Sequence, residues 1–301
     1  MTDPVHGSRP GHGEAHQPLP GHIAALLERQ NRDDAGRAAD SAGIAWEGRD
    51  LSGEGNPLHT FDGDDGLAPA VLDAARQAVL AGTLGESGFV SALAGQRLFV
   101  PVLAGAAQSP DQDLSQHGDK QSDITLVSMT ARDGRQALPA FSSVEALTHW
   151  HPKARPVAAE AERVMLAALA EGAELVVLDP GASLPFVIRR PAVEAIARGD
   201  RWTASYEDSG LAEELADAVT QCPGVVGLVL SPGEGVASVT AEGEVIAAGG
   251  SGPELRVVAE FESGLDPVDR RLALRSLEVV LGENEVLRRR ADSVQILGAD
   301  A

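Results

Sequence analysis

Between residues 66 and 200 the chain alternates apolar stripes at helical spacing with short continuous apolar runs. Val71, Ala74, Ala75 and Ala78 step along one helix face, and Phe89 and Leu93, four apart, lead into an apolar run of strand length over 98–103. A polar loop follows over 105–121. From 123 to 130, Ile124 and Leu126 fall on one parity and Val127 and Met129 on the other, which predicts a strand covered on both faces. Arg132-Asp-Gly-Arg135 carries hairpin chemistry, with its return strand over 136–141.

The densest pattern runs from 138 to 196. Ser142 and Glu145 stand at capping-box spacing before Val144 and Leu147, which predicts a short helix that closes at Trp150. Pro156 suits the first position of a longer helix carrying Val157, Ala161, Val164 and Ala168 and ending at Gly172. A continuous apolar run over 175–178 is broken by Asp179-Pro180-Gly181 and resumes over 184–188, two strands about a turn. Pro191 opens a further helix with Val193 and Ile196 on one face and Gly199 at its end. About five strands and four helices give one sheet layered with helices.

The pattern then changes to that of a smaller second unit. Leu211, Leu215 and Val219 mark a helix ending before Pro223, followed by strands over 225–230, 236–246 and 254–261. Leu274, Leu277 and Leu281 line a helix opening near Pro267, and 294–297 is a last strand. The fold class expected is α+β, two sheet-and-helix domains in tandem over 66–200 and 201–301. A disordered tail over 1–22, rich in Pro, Gly and His without periodicity, and an irregular connector over 23–65 precede them.

Composition narrows the possible partners. A formal charge of −21 over 301 residues argues against nucleic acid and anionic membrane, because phosphate binding draws most of its affinity from Lys and Arg. One cysteine, Cys222, excludes an intrachain disulfide framework. No window reaches the roughly 20 apolar residues of a membrane helix and the start lacks an export pattern, so a cytoplasmic protein is expected.

Candidate chemistry is sparse. His6, His12, His16 and His22, at spacings of 6, 4 and 6, form no tight metal pair and read as part of the tail. Phe61-Asp-Gly-Asp-Asp-Gly66 alternates carboxylates with glycine as a calcium loop does. However, counting from Asp62, position five is Gly66 and position twelve is Asp73, so the bidentate Glu is missing and an Asx turn is expected. His149 and His151 flank Trp150 ahead of Lys153 and Arg155. Two histidines two apart at a helix end point away from each other and do not share a metal unless the segment is extended, so this cluster is either a ligand or partner surface or a set of exposed helix-end residues satisfying the last carbonyls. Arg189 and Arg190, beside the helix that opens at Pro191, can hold an anion on its free N–H groups or stand as a solvated strand end. Arg288-Arg-Arg290 complements a helix terminus or docks an acidic partner. Ser231-Pro-Gly-Glu-Gly235 lacks the Lys-Ser or Lys-Thr of a phosphate loop. Catalytic motifs of the Gly-x-Ser-x-Gly, His-Glu-x-x-His and dinucleotide-binding types do not occur, so no catalytic residue, metal or cofactor is assigned.

A resemblance rests on the order of four segments: Ser122-Asp-Ile-Thr-Leu-Val-Ser-Met129, Asp133-Gly134, Leu138-Pro-Ala-Phe-Ser-Ser143 with Trp150, and Val177-Leu-Asp-Pro-Gly181. Together they resemble the N-terminal domain of the SseB (enhanced serine sensitivity) family in its actinobacterial form, over 66–200. The last hundred or so residues are similar in order to that family's C-terminal domain. The resemblance implies no established active site. The function expected is a non-catalytic protein-binding or regulatory module whose partner is another protein. The alternative, prompted by the family's phenotype, is an enzyme or small-molecule sensor of amino-acid (serine) metabolism.

Overall fold

A computed structural model describes residues 61, 63–104, 124–131 and 133–299. The tail, nearly all of the connector and the polar loop expected over 105–121 lie outside the described residues. The first half contains helices α1 (Ala70–Leu80) and α2 (Glu86–Ala92), then strands β1 (Arg97–Ala104), β2 (Ile124–Leu126), β3 (Met129–Thr130) and β4 (Gln136–Ala140). Helix α3 (Val144–Trp150), strand β5 (Arg155–Glu160), helix α4 (Ala161–Ala170), strands β6 (Leu175–Leu178) and β7 (Phe186–Arg189), and helix α5 (Arg190–Arg198) complete it.

The expected single sheet is two, in the orders β2-β1-β5 and β3-β4-β6-β7. They meet where Phe99 and Phe141 exchange backbone hydrogen bonds of 2.8 Å. The strand expected over 123–130 breaks between them. Leu126 pairs with Val102 of β1, whereas Met129 pairs with Ala137 of β4, and at the break the Val127 N–H donates to the Pro101 carbonyl.

The helix expected from Pro156 is another correction: 155–160 is a strand, and only 161–170 is helical. Tertiary pairing overrides the local signal, because β1 runs past the three residues of β2 and fills its other side with β5 along six registered pairs. Pro101 faces Pro156 in that ladder. The Pro101 carbonyl points to the β2 side, so in an antiparallel ladder the two missing N–H groups face away from each other and no bond between the strands is lost.

Alternate strand residues build the main core. Leu98, Leu138, Val176, Phe186 and Ile188 pack against Leu72, Phe89, Met165, Leu169 and Val193 from α1, α2, α4 and α5, and the Phe89 and Phe186 rings stack at 4.1 Å. On α1 the buried stripe is Leu72, Ala75 and Val79. The stripe expected from Val71 is displaced by one, leaving Val71 52% exposed, because Leu72 and Val79 carry more apolar area to the core. The opposite sheet parity supplies Phe99 and Phe141 to a smaller cluster with Leu147 of α3 and Ala154 of the loop before β5.

The second half holds α6 (Ser209–Val219), β8 (Val225–Pro232), β9 (Ser238–Val239), β10 (Val245–Ile246), β11 (Leu255–Phe261), α7 (Pro267–Glu283), α8 (Glu285–Arg290) and β12 (Val294–Gly298). Asp208, Asp266 and Asn284 cap α6, α7 and α8 with side-chain oxygens. One sheet, β12-β11-β8, packs on Leu211, Leu215, Leu277 and Leu281. With helices and several sheets throughout, the fold class is α+β.

The strand expected over 236–246 is reduced to the two-residue pair β9 and β10. Its surroundings explain this, since Ile246 and Ala248 are buried in the first half's core and not in the second's. Gly235 and Gly252 allow that close approach. A Cβ on Gly235 would stand 1.8 Å from the Gly252 carbonyl carbon. Gly235→Ala should therefore lower stability by about 3 kcal/mol through overpacking, read as a lower urea midpoint at unchanged slope. Gly243→Ala, at φ +85° with open space around its Cβ, should cost only about 1 kcal/mol, from backbone strain.

Candidate functional site

The two halves of the 138–196 stretch meet at one carboxylate. Asp179 is 1% exposed and receives the Ser142 N–H at 2.7 Å on Oδ1 and the Ser142 hydroxyl at 2.8 Å on Oδ2. Arg76 of α1 donates to the same Oδ2. The expected cap is thereby moved by one residue. Ser142 turns inward to the buried carboxylate, and Ser143, at φ −137° and ψ 159°, takes the N-cap and accepts from the Ala146 N–H at 3.1 Å. Asp179 has φ +50°, a left-handed conformation that Asp tolerates better than most residues. The backbone holds it there as well: its N–H donates to the Ala140 carbonyl at 2.8 Å, and its own carbonyl accepts from Ala182 at 3.1 Å.

Against this fixed turn α3 leaves a cleft of about 270 Å³, with Glu145, Ala146 and His149 on one wall and Pro180, Gly181 and Ala182 on the other. His149 is exposed there. Trp150 packs behind it, its ring 5.3 Å from that of Phe141. His151 ends the helix, donating its N–H to the Leu147 carbonyl at 2.8 Å, with its ring 5.9 Å from Trp150 and its Nδ1 buried without a partner. Of the expected cluster, His149 alone lines the cleft. Among the described residues no group of three or more His, Cys, Asp and Glu is placed to hold a metal ion. The acidic stretch before α1 contains two Asx turns, Asp64 to the Gly66 N–H at 2.8 Å and Asp65 to the Leu67 N–H at 2.9 Å. The second oxygen of Asp64 binds Arg97 at 2.8 Å, while Asp62 lies outside the described residues.

Arg189 is a correction. It is 1% exposed, so it is neither a solvated strand end nor a surface anion site. Its Nη1 donates to the Gly252 carbonyl at 2.7 Å, and its Nη2 donates to those of Gly235 and Gly250 at 2.9 and 2.8 Å. Arg190 is held by Glu194 at 3.1 Å, and Arg290 of the basic run by Asp208 at 3.0 Å.

Two further buried acids went unnoticed in the sequence. Glu86 accepts from the Gly249 N–H at 2.9 Å and the Tyr206 hydroxyl at 3.1 Å. Glu254 accepts from the Ser205 hydroxyl at 2.7 Å and the Asp292 N–H at 2.7 Å. Asp292 in turn binds Arg135 at 2.7 Å. The available signal was the glycine spacing, 233 and 235 facing 249, 250 and 252, which reads as backbone freedom until a guanidinium is placed between the turns. Burial raises the Glu86 carboxyl above the usual carboxylate range, with Arg189 opposing, and burial together with Glu86 pushes the Tyr206 hydroxyl up.

The cleft, Arg76, Glu86, Asp179 and Arg189 all fall within one stretch that matches a known family. Residues 70–195 match the SseB protein N-terminal domain. No curated protein and no solved structure matches the chain. The SseB match opens with α1 and closes inside α5, so Tyr206, Glu254 and Asp292, which complete the buried cluster, lie beyond it.

Asp179→Ala should cost about 3 kcal/mol in urea unfolding, because Arg76 and both Ser142 donors lose their acceptor in a buried place. Asp179→Asn, which keeps an acceptor and tolerates positive φ, should cost less. Glu86 sets a pH dependence. Its folded carboxyl holds a proton to higher pH than the unfolded chain does, so its contribution is fully present below about pH 4.5 and is lost as pH rises through the folded pKa. Glu86→Gln should remove that loss, making the Tm difference, variant minus wild type, increasingly positive as pH rises above 4.5.

Proposed function

We propose that the chain is a non-catalytic, protein-binding member of the SseB family, of the actinobacterial type and with its second half as the C-terminal SseB domain. In this reading it works in the cytoplasm and takes an extended segment of a partner protein into the cleft beside α3. His149 and Glu145 meet that segment, and Trp150 and His151 brace the wall from behind. The observation that carries the reading is the condition of the polar groups around the cleft. Both Asp179 oxygens and the Ser142 and Ser143 hydroxyls are engaged inside the protein, so they hold the shape of the cleft and leave the exposed Glu145 and His149 as the polar side chains it offers. Exposed apolar surface elsewhere supports a protein partner, since Val268, Leu272 and Val279 stand 55%, 63% and 60% exposed along α7. The buried, unpaired thiol of Cys222 suits a reducing compartment.

Ala146→Arg fills the cleft without touching the Asp179 bonds. Quantitative pull-downs should recover a stoichiometric partner with the wild-type chain, lose it with Ala146→Arg at unchanged circular dichroism, and retain it with the control Glu213→Lys, an exposed polar position on α6. An identical set of bound proteins for all three chains would contradict the reading.

A further inference from the structure

The sheet of the second half ends at an unguarded strand. In the order β12-β11-β8, β8 has β11 on one side and, among the described residues, no strand on the other. Proteins commonly guard such edges by shortness, charge, proline or cover. The first half does so. β2 and β3 have three and two residues, β5 turns the missing N–H of Pro156 to its open side, and the Val187 N–H of β7 donates to the Gly249 carbonyl. At the far edge of the second sheet, β12 stands between Asp292 and Asp300. β8 is eight residues long, its one proline is the last of them, and no charged residue occurs from 218 to 233. Its bulge lies at Val226, ahead of an unbroken ladder over 227–232.

The register shows which backbone groups the edge presents. The Gly233 N–H donates to the Glu254 carbonyl at 2.7 Å, one step past the pair of Pro232 with Leu255. Bonded pairs alternate along an antiparallel ladder, so Val229 and Ser231 turn their N–H and C=O groups to β11, and Leu228 and Leu230 turn theirs outward. The sequence there, Leu228-Val229-Leu230, reads the same in both directions. We infer that two copies of this chain join β8 to β8, antiparallel, about a two-fold axis through Val229. Leu228 of each copy then faces the partner's Leu230, both residues exchange backbone hydrogen bonds, and Val229 meets its own copy as a close non-bonded pair. The half-buried Leu228 and Leu230 extend the apolar layer on α6 and α7, and the 47% exposed Val229, in a row with Val258 and Leu297, gains cover. Charge permits the approach. Each copy carries a formal charge of −21, yet the paired stretch has none. The nearest acid, Glu260, lies over Gly227, where a Cβ would stand 2.6 Å from its Oε2, and in this register that glycine faces the partner's Ser231, a hydroxyl donor. Pairing over 227–231 is small beside the roughly 1,600 Å² of a standard interface, so the dimer is a weak one.

Sedimentation equilibrium of the full chain between about 1 and 500 µM should show a reversible monomer–dimer transition. Val229→Lys sets two ammonium groups opposite each other, and should move that transition at least about tenfold higher in concentration at unchanged circular dichroism. Val229→Cys should form a disulfide-linked dimer in oxidising buffer, because the Cβ atoms of a non-bonded pair stand about 4.5–5.5 Å apart, and the native Cys222 is buried. Leu297→Cys, also exposed but about 24 Å from its own copy at a strand spacing of about 4.8 Å, should not. A chain that stays monomeric throughout overturns the dimer. A dimer that survives Val229→Lys unaltered, or Leu297→Cys linking as readily as Val229→Cys, overturns its assignment to β8.

Discussion

The guanidinium of Arg189 is the contact on which the arrangement of the two halves depends. It leaves the end of β7 and meets carbonyls 46, 61 and 63 residues further along, at Gly235, Gly250 and Gly252. A buried cation is costly unless its donors are matched, and here three carbonyl dipoles and the nearby acid Asp292, at 3.5 Å, meet the two Nη groups, while Nε is buried without a partner. The glycines are a condition of that convergence. A Cβ at Gly250 would lie 2.2 Å from the Ala237 carbonyl oxygen, and one at Gly252 2.8 Å from the Gly235 Cα. No side chain fits where the two turns face each other, so their carbonyls can close on one guanidinium.

Further buried charges extend the same device. Glu86 ties α2 to the Gly249 turn, and Glu254 ties the joint at Ser205 to the loop before β12. Asp179 does the equivalent inside the first half, joining α1, the start of α3 and the β6–β7 turn. Each acid bonds across elements far apart in the chain, where apolar burial alone leaves several packings open. Their contribution is to fix which turn meets which helix, and the cleft beside α3 inherits its shape from that.

Much of this was readable from local chemistry. Pro191 and Gly199 bracket α5, Asp179-Pro180-Gly181 separates β6 from β7, and Phe89 with Leu93 marks a buried face, because each of these features is decided within a few residues. The failures share one cause. The 155–160 segment is extended because β1 has an open side, Ser142 gives up the cap because Asp179 reaches it from 37 residues away, and 236–246 holds little strand because Ile246 and Ala248 are drawn into the first half's core. For the candidate site, His149 was legible as an exposed polar residue. The cleft itself and the burial of Arg189 were not, since the partners of both are set by the tertiary fold.

Through its carbonyl contacts Arg189 should make the 233–252 segment a cooperative part of the first half. Amide hydrogen exchange tests it directly. The Gly249 and Gly250 amides, bonded to Glu86 and the Val236 carbonyl, should exchange as slowly as those of β6, and in Arg189→Met they should become fast while β6 stays protected. Fast exchange at Gly249 and Gly250 in the wild-type chain, or protection unaltered by Arg189→Met, would contradict it.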